Sequence, residues 1–267
     1  MDHLGLDYET FSTVSLPDVG GSVYAKHPDT EILMAAYNFN HGPIKQWIPA
    51  EGEPIPKELA QALIDPQVRK WAWNAKFEMA ITDQHVAAVD VRQWRCTMVQ
   101  AMHCSLPGKL EKAGPILGLP IDQQKDRRGK ALMRKFSMPR KPTKANPNNR
   151  LFHYDDPDEW QAYLEYNRSD VVAEGGIWRR LKPYMMSDDE WELFRIDYEI
   201  NEAGLPINLN MVRNAIRIYE HALKTGLQEM RELTGLSNPN SLPQLLPWLQ
   251  SQGYMFEDCQ KGHIKTA

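Results

Sequence analysis

Along the first hundred residues the spacing of apolar positions switches repeatedly between the strand and helix periods. HLGLDYE (3–9) reads as a strand, and EILMAAYNF (31–39) and IKQWIP (44–49) read as two more, joined by a hairpin turn at NHG (40–42). PKELAQALID (56–65) has helical spacing and VRKWAW (68–73) reads as a buried strand. AKFEMAITDQHV (75–86) returns to helical spacing behind Asn74, a residue type suited to capping a helix start. VDVRQWRCT (89–97) predicts a short strand leading into a helix. A β-meander followed by alternating helix and strand predicts an α/β fold with a mixed sheet. From about 98 to 205 the pattern is mostly helical, with helices predicted over 97–104, 109–117, 126–136, 156–182 and 187–203. The segment 138–149, MPRKPTKANPNN, is rich in proline, asparagine and basic residues and predicts a loop within that run. After a turn and a short extended piece (203–212), amphipathic helices are predicted over about 210–234 and 242–252, with SNPNS (237–241) between them. The last fifteen residues show no clear element, and the chain is read as stopping partway through a domain.

Composition narrows the class without naming it. The 267 residues are 42% hydrophobic and 25% charged, as in ordinary globular proteins, and allow one large domain or one domain plus a piece of another. A net charge of -4 gives no global signal for nucleic acid, so local charge has to carry that case. Cys96, Cys104 and Cys259 form no C-x-x-C pair, which predicts neither a disulfide framework nor a zinc site and suits a reducing, cytoplasmic setting. No apolar run approaches the roughly 18 residues of a membrane span, and no signal-peptide pattern opens the chain.

The acids supply the chemistry. Residues i and i+2 of a strand face one side, so Asp7 and Glu9 project together. Residues i and i+4 of a helix share a face, which pairs Tyr166 with Asp170 and Asn74 with Glu78. Four acids from three elements are thus expected to converge at one end of the sheet. Their mutual repulsion calls for hard divalent cations with oxygen ligands. Two such ions, roughly 3.5–4 Å apart, can clamp the attacking and leaving oxygens of a phosphodiester.

DYE (7–9), NAKFE (74–78) and YNRSD (166–170), in that order, resemble the three motifs of DEDDy-class 3′–5′ exonucleases, as in the proofreading domains of bacteriophage family A DNA polymerases. YAKHPDTEILMAAY (24–37), LPGKLEKAGPILGLP (106–120) and GKALMRKFSMPRK (129–141) extend the resemblance across residues 1 to about 200. INEAGLPINLNMVRNA (200–215) and SNPNSLPQLLPWL (237–249) resemble the start of a polymerase thumb, and sequences expected of palm and fingers are absent. The resemblance implies an RNase H-like mixed sheet flanked by helices, with an exonuclease domain over 1–185 and a helical, incomplete polymerase segment over 186–267. It implies a metal-dependent 3′–5′ DNA exonuclease that releases 5′-mononucleotides and uses two Mg²⁺ ions, with Mn²⁺ as a substitute. The implied partners are single-stranded DNA or a frayed primer 3′ end, and a polymerase palm and fingers in the same or a separate chain. The implied setting is a bacterial host's cytoplasm. By carry-over Asp7 bridges both metals, Glu9 and Asp170 complete the first site, and Glu78 supports the second through water. Tyr166 orients the attacking water, and Thr10 and Asn74 lie at the terminal nucleotide. No histidine stands beside Asp170, which assigns the tyrosine class. The family's second motif usually ends in aspartate; Glu78 departs from it by a methylene, a reach of roughly 1.5 Å.

Between 125 and 150 the basic residues Lys125, Arg127, Arg128, Lys130, Arg134, Lys135, Arg140, Lys141, Lys144 and Arg150 are opposed by Asp126 alone. They form a candidate phosphate-binding surface, of which Lys130, Arg134, Lys135, Arg140 and Lys141 are singled out. A solvated loop is the plainer reading of the same charges. Phe136 fits either a base-stacking role or the core. Two other functions stay open: a ribonuclease on the same fold, which the thumb-like segment disfavours, and a non-catalytic single-strand-binding module, which the unusual Glu78 keeps in play.

Overall fold

The computed structural model describes residues 3–120, 129–144 and 146–260. These divide into two compact units, Met1–Ala203 and Gly204–Ala267.

The first unit is built on one five-stranded sheet. β1 (His3–Phe11) is its central strand, β2 (Glu31–Phe39) and β3 (Lys45–Trp47) lie to one side, and β4 (Arg69–Ala72) and β5 (Trp94–Cys96) to the other, in the order β3-β2-β1-β4-β5. β2 runs antiparallel to both β1 and β3, while β1, β4 and β5 are mutually parallel. This is the RNase H-like mixed sheet expected from the sequence. The β2–β3 hairpin turns at Asn40 and His41, at φ 50° and 59°, as the NHG stretch predicts. Between Glu9 and Thr10 the β1–β2 register shifts: Glu9 faces Met34 but Thr10 faces Ile32, leaving Leu33 as an extra residue on β2. Such bulges bend a strand and re-aim its side chains.

Short helices α1 (Leu16–Val19) and α2 (Gly21–Lys26) follow β1 and lie in a stretch that periodicity alone does not resolve. The remaining helices of this unit are α3 (Lys57–Ile64), α4 (Ala75–His85), α5 (Thr97–His103), α6 (Leu110–Ile116), α7 (Gly129–Phe136), α8 (Pro157–Leu181) and α9 (Asp188–Ala203). Strand alternation sorts β1 between two layers. Leu4, Leu6 and Tyr8 pack with Leu59 and Leu63 of α3, Met79 and Ile81 of α4, and Trp191 and Phe194 of α9. On the other face Phe11 and Met34 pack with Leu132 and Phe136 of α7 and Trp160, Tyr163 and Tyr166 of α8. A third cluster joins Leu110 and Ala113 of α6 to Ala173, Ile177 and Leu181 of α8. α8 starts where its sequence says it should. Pro157 occupies its first turn and Asp156 accepts a capping bond from the Glu159 amide at 3.2 Å. The predicted helix over 126–136 begins at Gly129 among the described residues; Lys125, Asp126, Arg127 and Arg128 lie outside them.

The second unit contains α10 (Leu209–Thr234) and α11 (Leu242–Ser251). Asn208 caps α10 by accepting from the Met211 amide at 3.0 Å, and Gly235 ends it in the left-handed region at φ 69°. Among the described residues no helix is long and apolar enough to cross a membrane.

Phe136 is 1% exposed and its ring stacks on Tyr163 at 5.8 Å, so of its two readings the structure gives the core. Phe136→Ala is expected to destabilise the protein by about 3–5 kcal/mol. Urea unfolding followed by circular dichroism checks this.

Candidate active site

The site forms on the second half of β1, beyond its last pairing with β4 at Gly5. Asp7 and Glu9 share the face of β1 that meets α8, and α8 brings Asp170 to them. One oxygen from each of the three carboxylates lies within 4.8 Å of the others, the one such group among the described residues. Glu9 and Asp170 are buried and Asp7 is half-buried. Three side chains of α8 fix the cluster. Asn167 donates to the Asp7 backbone carbonyl at 3.1 Å and to its Oδ2 at 2.8 Å. The Tyr163 hydroxyl donates to Glu9 Oε2 at 2.5 Å, and the Tyr166 hydroxyl donates to Asp170. Tyr163, Tyr166, Asn167, Asp170 and Glu174 recur at intervals of three and four, so one helical stripe carries all of them.

Electrostatics set the protonation states. Burial, followed by the charges of Asp170, Glu9 and Asp7, pushes the Tyr166 phenol far above its ordinary range. Burial and then Glu9 do the same for Tyr163. Both tyrosines are therefore protonated donors at neutral pH.

Glu78 arrives from the first turn of α4 and is 4% exposed. It stands outside the 4.8 Å group. Burial, with Glu9 and Glu174 as like charges nearby, holds its carboxyl well above the usual carboxylate range, while the Tyr8 and Glu78 backbone amides oppose that shift. Its Oε2 is buried without a hydrogen-bond partner. A buried, unpaired carboxylate oxygen beside other acids is costly unless protonated or met by a cation. The donor set, all carboxylate oxygens, suits a hard divalent ion.

The other predicted residues are placed as follows. Thr10 is buried, with its hydroxyl 2.9 Å from that of Tyr24. Asn74 occupies the position before α4, but its backbone is left-handed at φ 80° and its side chain makes no capping bond, contrary to the expected cap. Lys130 and Arg134 are exposed, one turn apart on α7. Lys135, from the same helix, is ion-paired with Asp156 and Glu159. Lys141 and Lys144 are exposed in the segment 138–149, which the Arg140 amide closes by donating to the Asn149 carbonyl at 2.6 Å. Arg150 is a strut: its guanidinium sits 4.0 Å from the Phe11 ring and 4.6 Å from Phe152, and it pairs with Glu31.

Sequence reading passed over Asn167, Tyr163 and Glu174. Asn167 lies inside the YNRSD stretch, and the polar stripe running through an otherwise apolar helix face was the available signal.

The structure thus gathers three of the four acids expected from the sequence on the central strand and on α8, with a tyrosine one turn before the third. The chain is similar to a DNA polymerase of Bacillus phage SP02, with 39% identity over 267 residues, covering 99% of this chain and 41% of that protein. It thus spans about two fifths of that relative's length. No protein-family model matches the chain. Among solved structures it is similar to Trypanosoma brucei RNase D in complex with RNA U12, at 15% identity and a TM-score of 0.46, covering 77% of this chain and 65% of that one. It is also similar to Brucella melitensis NrnC with bound Mg²⁺, at 14% identity and a TM-score of 0.45, covering 74% and 82%. Escherichia coli RNase D, an exoribonuclease involved in structured RNA processing, gives 11% and 0.41, covering 76% and 46%.

One further acid makes the site's charge balance measurable. Glu174 is 4% exposed and accepts from the Thr97 hydroxyl; burial nevertheless raises its pKa from 4.5 to about 7. The folded state then holds a proton that the unfolded state has released. Its contribution to stability is full below 4.5 and is lost as pH rises through about 7. The metal-free protein is expected to lose thermal stability over that window, and Glu174→Gln to flatten the loss, as read by melting curves in EDTA at successive pH values.

Proposed function

We propose that this chain is a metal-dependent 3′–5′ DNA exonuclease, the proofreading module of a phage family A DNA polymerase. Residues 1–185 are read as the exonuclease domain and 186–267 as the start of a polymerase domain. The observation that carries the reading is the gathering of Asp7, Glu9 and Asp170, from the first and third motifs, within 4.8 Å of one another. The relative from Bacillus phage SP02, a DNA polymerase, supports the same context.

Asp7, half-buried and within reach of Glu9 and Asp170, would serve both cations. Glu9 and Asp170 complete one site. Glu78, with an unpartnered buried oxygen, supports the second through water. When bound, two divalent ions, Mg²⁺ in this reading, acidify water to a nucleophile near neutral pH and offset the charge of the phosphate. Tyr166 stays protonated, donates a hydrogen bond to Asp170 and leaves its oxygen to accept one from the attacking water, orienting that water. Asn167 and Tyr163 hold Asp7 and Glu9 in place before substrate arrives. Thr10 and Asn74 sit at the 3′-terminal nucleotide in this reading. Lys130, Arg134, Arg140 and Lys141 meet the phosphates of the incoming strand, with Lys135 anchored by its ion pairs to Asp156 and Glu159. The substrate is a single strand or a frayed primer 3′ end, the partner is the remaining polymerase, and the setting is the host cytoplasm.

A 5′-labelled single strand incubated with the protein and Mg²⁺ or Mn²⁺ is expected to give a ladder of products shortened from the 3′ end. No shortening with either metal overturns the reading, and faster shortening of RNA than DNA replaces it with a ribonuclease. Asp7→Ala is expected to abolish the ladder with the circular dichroism spectrum unchanged. Tyr166→Phe is expected to lower kcat by about ten- to a thousandfold, with KM little changed, because it removes positioning alone.

A further inference from the structure

The first residue of α7 packs flat against the Tyr166 ring. A Cβ built on Gly129 meets Cε2 of Tyr166 at 1.9 Å, Cζ at 2.3 Å and Cδ2 at 2.4 Å, the ring edge that carries the hydroxyl carbon. Gly129 belongs to helix α7, whose right-handed backbone any residue adopts. Space for the tyrosine is what the position supplies.

The ring has little room to yield. Tyr166 is 2% exposed; Tyr163 stacks on it at 6.0 Å and 20°, and Phe136, from the far end of α7, stacks on Tyr163 at 5.8 Å and 14°. α7 thus grips the aromatic row at both ends, through Gly129 and through Phe136. Its faces are sharply divided. Gly129, Leu132 and Phe136 are buried, while Lys130 and Arg134 are exposed. The helix carries phosphate-binding charge on one side and the tyrosine's resting surface on the other.

We infer that Gly129 is a positioning residue for Tyr166, and that α7 transmits contact between Lys130, Arg134 and the strand's phosphates to the tyrosine hydroxyl. This rests on the exonuclease reading above. A methyl group at 129 moves the ring by about 1.5 Å to regain van der Waals separation, or moves α7 outward by as much. A displacement near 1 Å at a positioned group can cost on the order of a hundredfold in rate.

The test is a double-mutant cycle on the full chain with a 5′-labelled single strand. Gly129→Ala is expected to lower kcat by about ten- to a hundredfold with KM within about twofold of wild type. In a Tyr166→Phe background the same change is expected to add no further loss, because the hydroxyl it misplaces is already gone. Independent losses that multiply, a change in KM alone, or an unchanged kcat overturn the inference. If wild type shows no shortening with either metal, the exonuclease reading has failed instead. A second measurement decides the matter should Gly129→Ala not fold. With 3-fluorotyrosine at 166 and no added metal, a single-stranded oligonucleotide is expected to shift the ¹⁹F resonance, and Lys130→Ala with Arg134→Ala to abolish that shift. A resonance unmoved by oligonucleotide in the wild-type background, or still moved in the double variant, overturns the coupling.

Discussion

Like charges held at close range are the constraint around which the first unit is arranged. Two unit charges 4 Å apart repel by about 4 kcal/mol in a medium of effective dielectric 20. Three carboxylates lie within 4.8 Å of one another, with Glu78 and Glu174 also buried, and α8 spends its inward stripe on donors to them. Asn167, Tyr163 and Tyr166 each give a proton to a different acid of the cluster. Burial first, and then the charges of Glu9 and Glu174, hold the Glu78 carboxyl above its ordinary range, while burial alone raises that of Glu174. The same charges that strain the cluster are the ligands a hard cation requires.

The sheet makes this arrangement rigid. β1 is covered on both faces, so Asp7 and Glu9 rest on a strand that has no room to shift. The bulge at Leu33 lies directly beside Glu9, and the register change there lets the strand bend away just past the acids. Beyond the bulge, Phe11 receives Arg150, which returns the basic segment to the strand that carries the site. Charged surface and acidic centre are thereby tied through one stacked guanidinium.

Much of this was legible from local spacing. Two-residue alternation paired Asp7 with Glu9, and the four-residue helical repeat paired Tyr166 with Asp170, because those periods are properties of the element itself. Features that depend on a neighbouring element were not legible. Gly129 reads as a poor helix residue until the Tyr166 ring is seen against it. Lys135 counts as a free charge until Asp156 and Glu159 close on it. Asn74 looks like a cap by type, but its left-handed backbone leaves the side chain without the capping bond. Glu78 was foreseen on the correct helix face, whereas its burial beside Glu174 needed the packing of α4 and α8 around one sheet end.

The site also has a history within each molecule. Asp7 and Asn167 are joined by a hydrogen bond across 160 residues of sequence. Closing so long a loop is entropically expensive and is repaid only when the distant helix docks. During synthesis the first two acids leave the ribosome long before α8 exists. A truncated or half-translated chain carries Asp7 and Glu9 without Asp170, the pairing partner of Tyr166, or the amide that steadies Asp7. Distance along the chain therefore acts as an interlock: the acidic centre comes into being only once nearly the whole first unit has been made and folded.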